Sequence, residues 1–566
     1  MVVYQIFTRL FGNKTRANIP GGTFEQNGSA KLNDIDERVL RFVRYMGVTH
    51  VWYTGIIRHA SATDYSQHGI PRQHPDVVKG KAGSPYAIAD YYDVDPDLAV
   101  DVDRRMAEFE ALVERTHQAG MKVVIDFVPN HVARQYQSIC KPQDVSDLGE
   151  GDNPDMGFSP QNNFYYCTGQ EFIAPVSSES DSSLLTHRYI EHPAKATGND
   201  CFTNAPSRND WYETVKLNYG VDYMAGQSPI NYPSIPITQH PSPNTWQKML
   251  DILLYWAAKG IDGFRCDMVF MVPTAFWQWA IPQVKAHYPD IIFIGEIYDP
   301  ALYRPFIAAG FDYLYDKVGM YDCLRDVTCC YRRAADISWQ WQATDDIARH
   351  MLYFLENHDE QRLASDFFAH DGRRGLPALL VGALLQQNPF MLYAGQELGE
   401  RGMDAEGFSG RDGRTTIFDY WHLESIDHGY FNRRRLTADE KALMLDYQKI
   451  LLIKERERAA SQGQMFDLMY VNQHIGDRQY AFLRKEAPSL QGSAGGEALL
   501  VVVNFADEPA SIDVNIPTHA FDYLGLAEGE FAATDLLTDE KCVLPMKADV
   551  PLHVEIPPCS GRIYKI

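Results

Sequence analysis

The sequence predicts an α/β protein: an eight-stranded (β/α)8 TIM barrel with a small domain inserted after strand 3 and a C-terminal antiparallel β-sandwich. Three observations predict it. Through the first four-fifths of the chain an amphipathic helical stretch, a Gly and a short β-branched or aromatic run recur in that order. Eight strand-like runs can be counted there, and beyond residue 462 strand-like runs stand alone. A Gly after a helix supplies the left-handed cap that turns the chain back into a strand, and such alternation builds a parallel sheet.

Taken in order, the predicted strands are 2–7, 48–56, 123–127, 263–266, 291–294, 313–315, 353–355 and 390–393. The cap signature precedes four of them, at Tyr45-Met46-Gly47, Gln118-Ala119-Gly120, Ala258-Lys259-Gly260 and Ala309-Gly310. Residues 106–118 and 246–259 carry apolar side chains at helical spacing. The regularity breaks twice. Residues 131–216 form a long aromatic and polar excursion without helical period, and a loop of that length usually carries its own small fold. After a helix over 438–458, the runs 499–505, 510–514 and 554–556 read as a β-sandwich. The expected division is therefore a barrel from 1–130 and 217–462, an inserted domain at 131–216, and a sandwich at 463–566.

A chain of 566 residues exceeds one ordinary core, in keeping with a large domain and smaller attachments. Its 45% apolar and 22% charged residues are those of a globular protein. The formal charge of −23 repels phosphate backbones and anionic lipid, so nucleic acid is not expected as a partner, whereas a neutral sugar is compatible. No apolar run reaches the length of a membrane span. Residues 2–7 read as a strand, and neither a charged n-region nor a cleavage site precedes them. The expected location is cytoplasmic, the alternative being periplasmic or secreted with a leader removed. Nine scattered cysteines without metal spacing favour buried thiols in a reducing compartment over a disulfide framework.

In a barrel of this kind the chemistry sits at the C-terminal ends of the strands. Asp126, Asn130 and His131 follow strand 3, Arg265 and Asp267 strand 4, Glu296 strand 5, and Asn357, His358 and Asp359 strand 7. Three carboxylates at one barrel mouth are what glycosidic cleavage needs: one to attack the anomeric carbon, one to protonate the departing oxygen, one to stabilise the oxocarbenium-like transition state. Each acid taken alone could equally cap the following helix. Asp126 reads as structural, and the aromatic cluster at Trp277 and Trp279 as core.

Four segments, Asp126-Phe127-Val128-Pro129-Asn130-His131, Gly263-Phe264-Arg265-Cys266-Asp267, Gly295-Glu296-Ile297 and Asn357-His358-Asp359, resemble in order and place the conserved regions of the α-amylase family, glycoside hydrolase family 13, in its bacterial α-amylase or neopullulanase-like form. Lys216-Leu217-Asn218-Tyr219 and Tyr393-Ala394-Gly395-Gln396-Glu397 are weaker matches. The resemblance spans the chain, the family's layout being barrel, inserted domain and sandwich. It implies a retaining hydrolase of α-glucosidic, foremost α-1,4, bonds in starch-derived glucans or maltooligosaccharides. Asp267 would be nucleophile, Glu296 acid and then base, and Asp359 the group gripping the sugar hydroxyls. Arg265 would hold Asp267 ionised while Glu296 is kept protonated. His131 and His358 would bond the sugar and Tyr86 would stack beneath it.

The match departs where many α-amylases carry a Lys-His pair after the nucleophile, for Phe270 and Met271 stand there. No cofactor is required by the chemistry. Calcium is an option because Asn130 matches a calcium position of the family, although one ligand falls short of the six to eight oxygens the ion takes. The basic loop 11–16 is not expected to bind calcium. A transglycosylase or sugar isomerase of the same family, and a non-catalytic carbohydrate-binding protein, are the alternatives.

Overall fold

The computed structural model describes residues 1–175, 188–232, 242–408, 410–486 and 496–566. Eight parallel strands close into a barrel: β1 (Val2–Phe7), β2 (His50–Thr54), β3 (Lys122–Phe127), β4 (Gly263–Cys266), β5 (Ile292–Gly295), β6 (Tyr313–Tyr315), β7 (Met351–Phe354) and β8 (Phe390–Tyr393). Pairing runs in chain order and β8 returns to β1. Four of the predicted strands match to the residue. β2 is shorter than its apolar run because Gly55, at φ +83°, turns the chain away. β7 begins two residues early because the 3-10 turns of Asp345–His350 feed straight into Met351.

Each strand is followed by helix on the outside: α1 (Glu37–Tyr45), α2 (Arg105–Gln118), α3 (Asn244–Ala257), α4 (Thr274–His287), α5 (Tyr303–Ala308), α6 (Asp322–Thr328), α7 (Leu376–Leu384) and α8 (Ala438–Arg456). Strand pleating then sorts the side chains. Val3, Trp52, Val124, Ile294, Tyr315, Leu352, Phe354 and Met391 form a cluster of their own inside the barrel. Outward-facing neighbours such as Tyr4, Val51, Val123 and Phe264 join the large core beneath the helices, where Trp277 is buried as expected and Trp279 partly so. A period of two from the interior residues places Gln5, Asp126, Arg265 and Glu296 on the inward parity as well, at the C-terminal rim.

Between β3 and α3, among the described residues, the excursion holds two short antiparallel pairs, His131–Ala133 with Thr214–Lys216 and Tyr166–Cys167 with Ala194–Lys195. Residues 176–187 of the expected inserted domain, and 487–495 of the expected sandwich, lie outside the described residues. After α8 the chain forms a six-stranded antiparallel sheet and a separate pair, Ala510–Val514 with Leu552–Ile556. The expectation of strands alone there needs one correction: Thr518–Leu524 is a helix, entered after Pro517 and stopped by Gly525 at φ +63°. No helix among the described residues is long and apolar enough to cross a membrane.

Candidate active site

The rim where β3, β4, β5 and β7 end carries the candidate carboxylates. Asp267 is the first residue past β4, its amide donating to the Phe127 carbonyl (2.9 Å). Glu296 is the first past β5, its amide donating to the Cys266 carbonyl (3.0 Å), so each is fixed by the barrel ladder itself. Arg265, fully buried, joins them: one terminal nitrogen donates to Asp267 Oδ1 at 3.0 Å and the other lies 2.8 Å from Glu296 Oε2. The same guanidinium is 3.6 Å from Asp126 and packs over the rings of Trp52, Tyr86 and Tyr315.

Asp126 accepts from Trp52 Nε1 (3.1 Å) and the Gly55 amide (3.3 Å). His358 is seated between Gln5, whose amide nitrogen is 2.8 Å from Nδ1, and Tyr86, whose hydroxyl is 2.6 Å from Nε2 and whose ring stacks on the imidazole at 23°. Its Nε2 also lies 3.0 Å from Asp359 Oδ2. Arg414 Nε donates to the Asp359 carbonyl (2.7 Å). The structure thus gathers Asp267, Glu296, Asp359, Arg265, His358 and Tyr86 at one rim. His131 stands further back, on the first strand of the excursion, touching the site through the Tyr86 backbone and packing against Trp211.

Burial is the largest single influence on the rim carboxylates Asp267 and Asp359. Burial, and then the neighbouring Glu296, push the Asp267 carboxyl well above the usual range against the pull of Arg265. Arg265 reaches both acids, so its charge does not single out Asp267. Asp359 goes the other way: burial raises it, but His358, Arg265 and Arg414 outweigh burial and leave it below the ordinary value.

Three contributors were not legible as motifs. Tyr298 donates its hydroxyl to Glu296 Oε1, two residues after the acid. The Met268 amide donates to Glu296 Oε2 (2.9 Å) from a left-handed backbone, φ +44°, that a non-glycine residue adopts only under constraint. Gln5 belongs to the first strand, far from any motif, and only inward parity could have found it.

Asn130, the calcium candidate, is buried with its side-chain oxygen 2.7 Å from the ammonium of Lys216. That ammonium is 2.5 Å from Asp200 Oδ1, and the Asn130 amide nitrogen donates to the Gly198 carbonyl (2.7 Å). A divalent ion at Asn130 would have to displace a buried cation, so these residues do not fit calcium. Elsewhere among the described residues, Asp90, Asp93 and Cys140 bring ligand atoms within 4.8 Å, a grouping that could hold a metal. Both of its carboxylates already face cations, Asp93 on Arg105 (2.6 Å) and Asp90 on Arg58 (3.3 Å).

The alpha-amylase catalytic-domain model matches residues 5–462, most of the chain and all of the rim. The chain belongs to the α-amylase family. Among its relatives, α-amylase MalA of Haloarcula japonica is 23% identical over 94% of this chain and 58% of its own length. Neopullulanase 2 of Thermoactinomyces vulgaris is 24% identical over 53% of this chain and 39% of its own length. The chain thus spans less than two thirds of the length of each. An acarbose-complexed α-amylase from Geobacillus thermoleovorans shares the fold with a TM-score of 0.63 and 18% identity, covering 100% of this chain and 97% of that one. This α-amylase-family member has its rim carboxylates at the strand ends where the family motifs lie.

Proposed function

We propose that the protein is a retaining glycoside hydrolase cleaving α-glucosidic, chiefly α-1,4, bonds in starch-derived glucans or maltooligosaccharides. The observation that carries the reading is the Arg265 guanidinium bonded to Asp267 on one side and paired with Glu296 on the other. One planar fork serving both acids favours the close spacing of about 5–5.5 Å used in retention over the wider spacing of inversion. Family membership, and relatives named as α-amylase and neopullulanase, support the substrate class.

In the reaction these residues support, Glu296 serves as the acid and Asp267 as the nucleophile, with Arg265 stabilising the Asp267 carboxylate. Asp267 attacks the anomeric carbon as the bond to the leaving oxygen breaks, and Glu296 passes its proton to that oxygen. Glu296 next takes a proton from water, whose oxygen attacks the same carbon and releases Asp267. Asp359, ionised and backed by His358, takes sugar hydroxyls and stabilises positive charge on the ring, while Tyr86 offers its ring face. No step is routed through calcium; the Lys216 contacts support a reading in which an ammonium, rather than a metal, holds the Asn130 position.

The test is product profiling on maltooligosaccharides, pullulan and cyclodextrin with wild type beside Asp267→Asn. The substitution is expected to cost at least about a thousandfold in kcat with Tm retained, since removing a nucleophile forfeits the covalent route. A variant keeping a tenth of the activity would refute the assignment. Products longer than the substrate would assign transfer instead of hydrolysis.

A further inference from the structure

A groove of about 890 Å³ lies at the opposite end of the barrel, where the helix Ile337–Ala343 and the turns leading into β7 and β8 meet the C-terminal sheet. Its size falls within the roughly 300–1,000 Å³ of small-molecule sites. Three aromatic side chains stand on it with much of their surface in water: Trp339 is 71% exposed, Tyr523 60% and Tyr470 49%. Large rings are costly to leave wet, and several converging on one groove mark a binding surface.

The groove is not an apolar one. Gln342, Asp346 and Arg349 are exposed along it. Its back wall is fixed by Asp467, which accepts from Trp341 Nε1 (2.8 Å) and the Tyr480 hydroxyl (2.9 Å) and ties the helix to the sheet. Phe466 packs against both Tyr470 and Tyr523, holding those rings in place. Amides and charges of both signs disfavour a purely apolar partner, and the acids disfavour a polyanion. A pyranose chain matches: its C–H faces suit aromatic planes, and its rim of hydroxyls suits planar carboxylate, amide and guanidinium groups.

We infer that this groove is a second, non-catalytic binding site for a glucan chain, an inference that rests on the function proposed above. It lies at the N-terminal ends of the strands, away from Asp267, Glu296 and Asp359, so occupancy holds polymer near the enzyme without taking part in cleavage.

The test uses native electrophoresis through gels containing amylopectin, in an Asp267→Asn background so that the polymer survives. Asp267→Asn is expected to be retarded, and adding Trp339→Ala or Tyr470→Ala to raise the apparent Kd at least fivefold. In the active background Trp339→Ala should leave kcat/KM on maltotriose within twofold and Tm unchanged. Retardation indifferent to both substitutions, or a monomer produced from a dimer by Trp339→Ala, would overturn the site while leaving the enzymatic reading intact. Absence of both cleavage and retardation on any α-glucan would overturn the two together.

Discussion

At the scale of single residues, two side chains decide what the motifs left open. Lys216 sits where its buried ammonium satisfies Asn130 and Asp200 and faces His131 across the strand pair that carries both. Lys216→Met should therefore cost about 2–3 kcal/mol, below the full price of a buried ion pair because Asp200 is partly exposed. Wild-type Tm should be indifferent to EDTA; a loss of several degrees on chelation that Lys216→Met abolishes would contradict the ammonium's role. The same substitution has a pH signature. Burial, and then Lys216, push the His131 imidazole down to about 3. A depressed imidazole contributes stability that is full above its ordinary value near 6.5 and is lost as pH falls towards 3. Without Lys216 that loss should be shallower, read as Tm against pH. Tyr298 supplies the second case. Its hydroxyl donates to Glu296 Oε1 and orients that carboxylate, so Tyr298→Phe should lower kcat about tenfold with KM and Tm little changed. An unchanged kcat would show that the contact is not carried into the working enzyme. Asp267, Glu296 and Asp359 were legible because their type and spacing are dictated by the chemistry. Tyr298, the Met268 amide and Gln5 were not, because a donor can be any residue that parity and backbone bring to the right place.

At the scale of elements, the Gly caps and β-branched runs fixed which segments become strands, because both are local preferences. The ends of β2 and β7 moved because a turn at Gly55 and a 3-10 run before Met351 compete with strand propensity there. The helix Thr518–Leu524 was missed although it buries Ala520, Phe521 and Leu524 at helical spacing, since two turns give too short a period to stand out among strands. How the C-terminal sheet meets the barrel was also invisible in sequence. Arg484, on the strand Gln479–Lys485, is fully buried and donates to the carbonyls of Leu384 (2.7 Å), Ala460 (2.9 Å) and Gly463 (2.8 Å), bridging the sheet to the residues ending α7 and following α8. Arg484→Met should leave three carbonyls without a donor and lower stability by about 2–4 kcal/mol in urea unfolding. A change below about 0.5 kcal/mol would mean that the junction is held by apolar packing alone.

At the scale of the whole molecule, a closed barrel turns eight separate strand ends into one rim, which is why residues as far apart in sequence as Gln5 and His358 meet. The sequence pattern predicts that convergence through chain order and strand count, yet it carries no information on which acid Arg265 serves. The fold answers that by giving the guanidinium to both. On the proposed route retention would come from two inversions at the anomeric carbon, Asp267 attacking from the face opposite the leaving oxygen and water, activated by Glu296, replacing it. The most direct measurement is time-resolved proton NMR of the first product released from a maltooligosaccharide, before mutarotation scrambles its anomers. Newly formed reducing ends are expected in the α-configuration; reducing ends appearing first as β-anomers would contradict the retaining route.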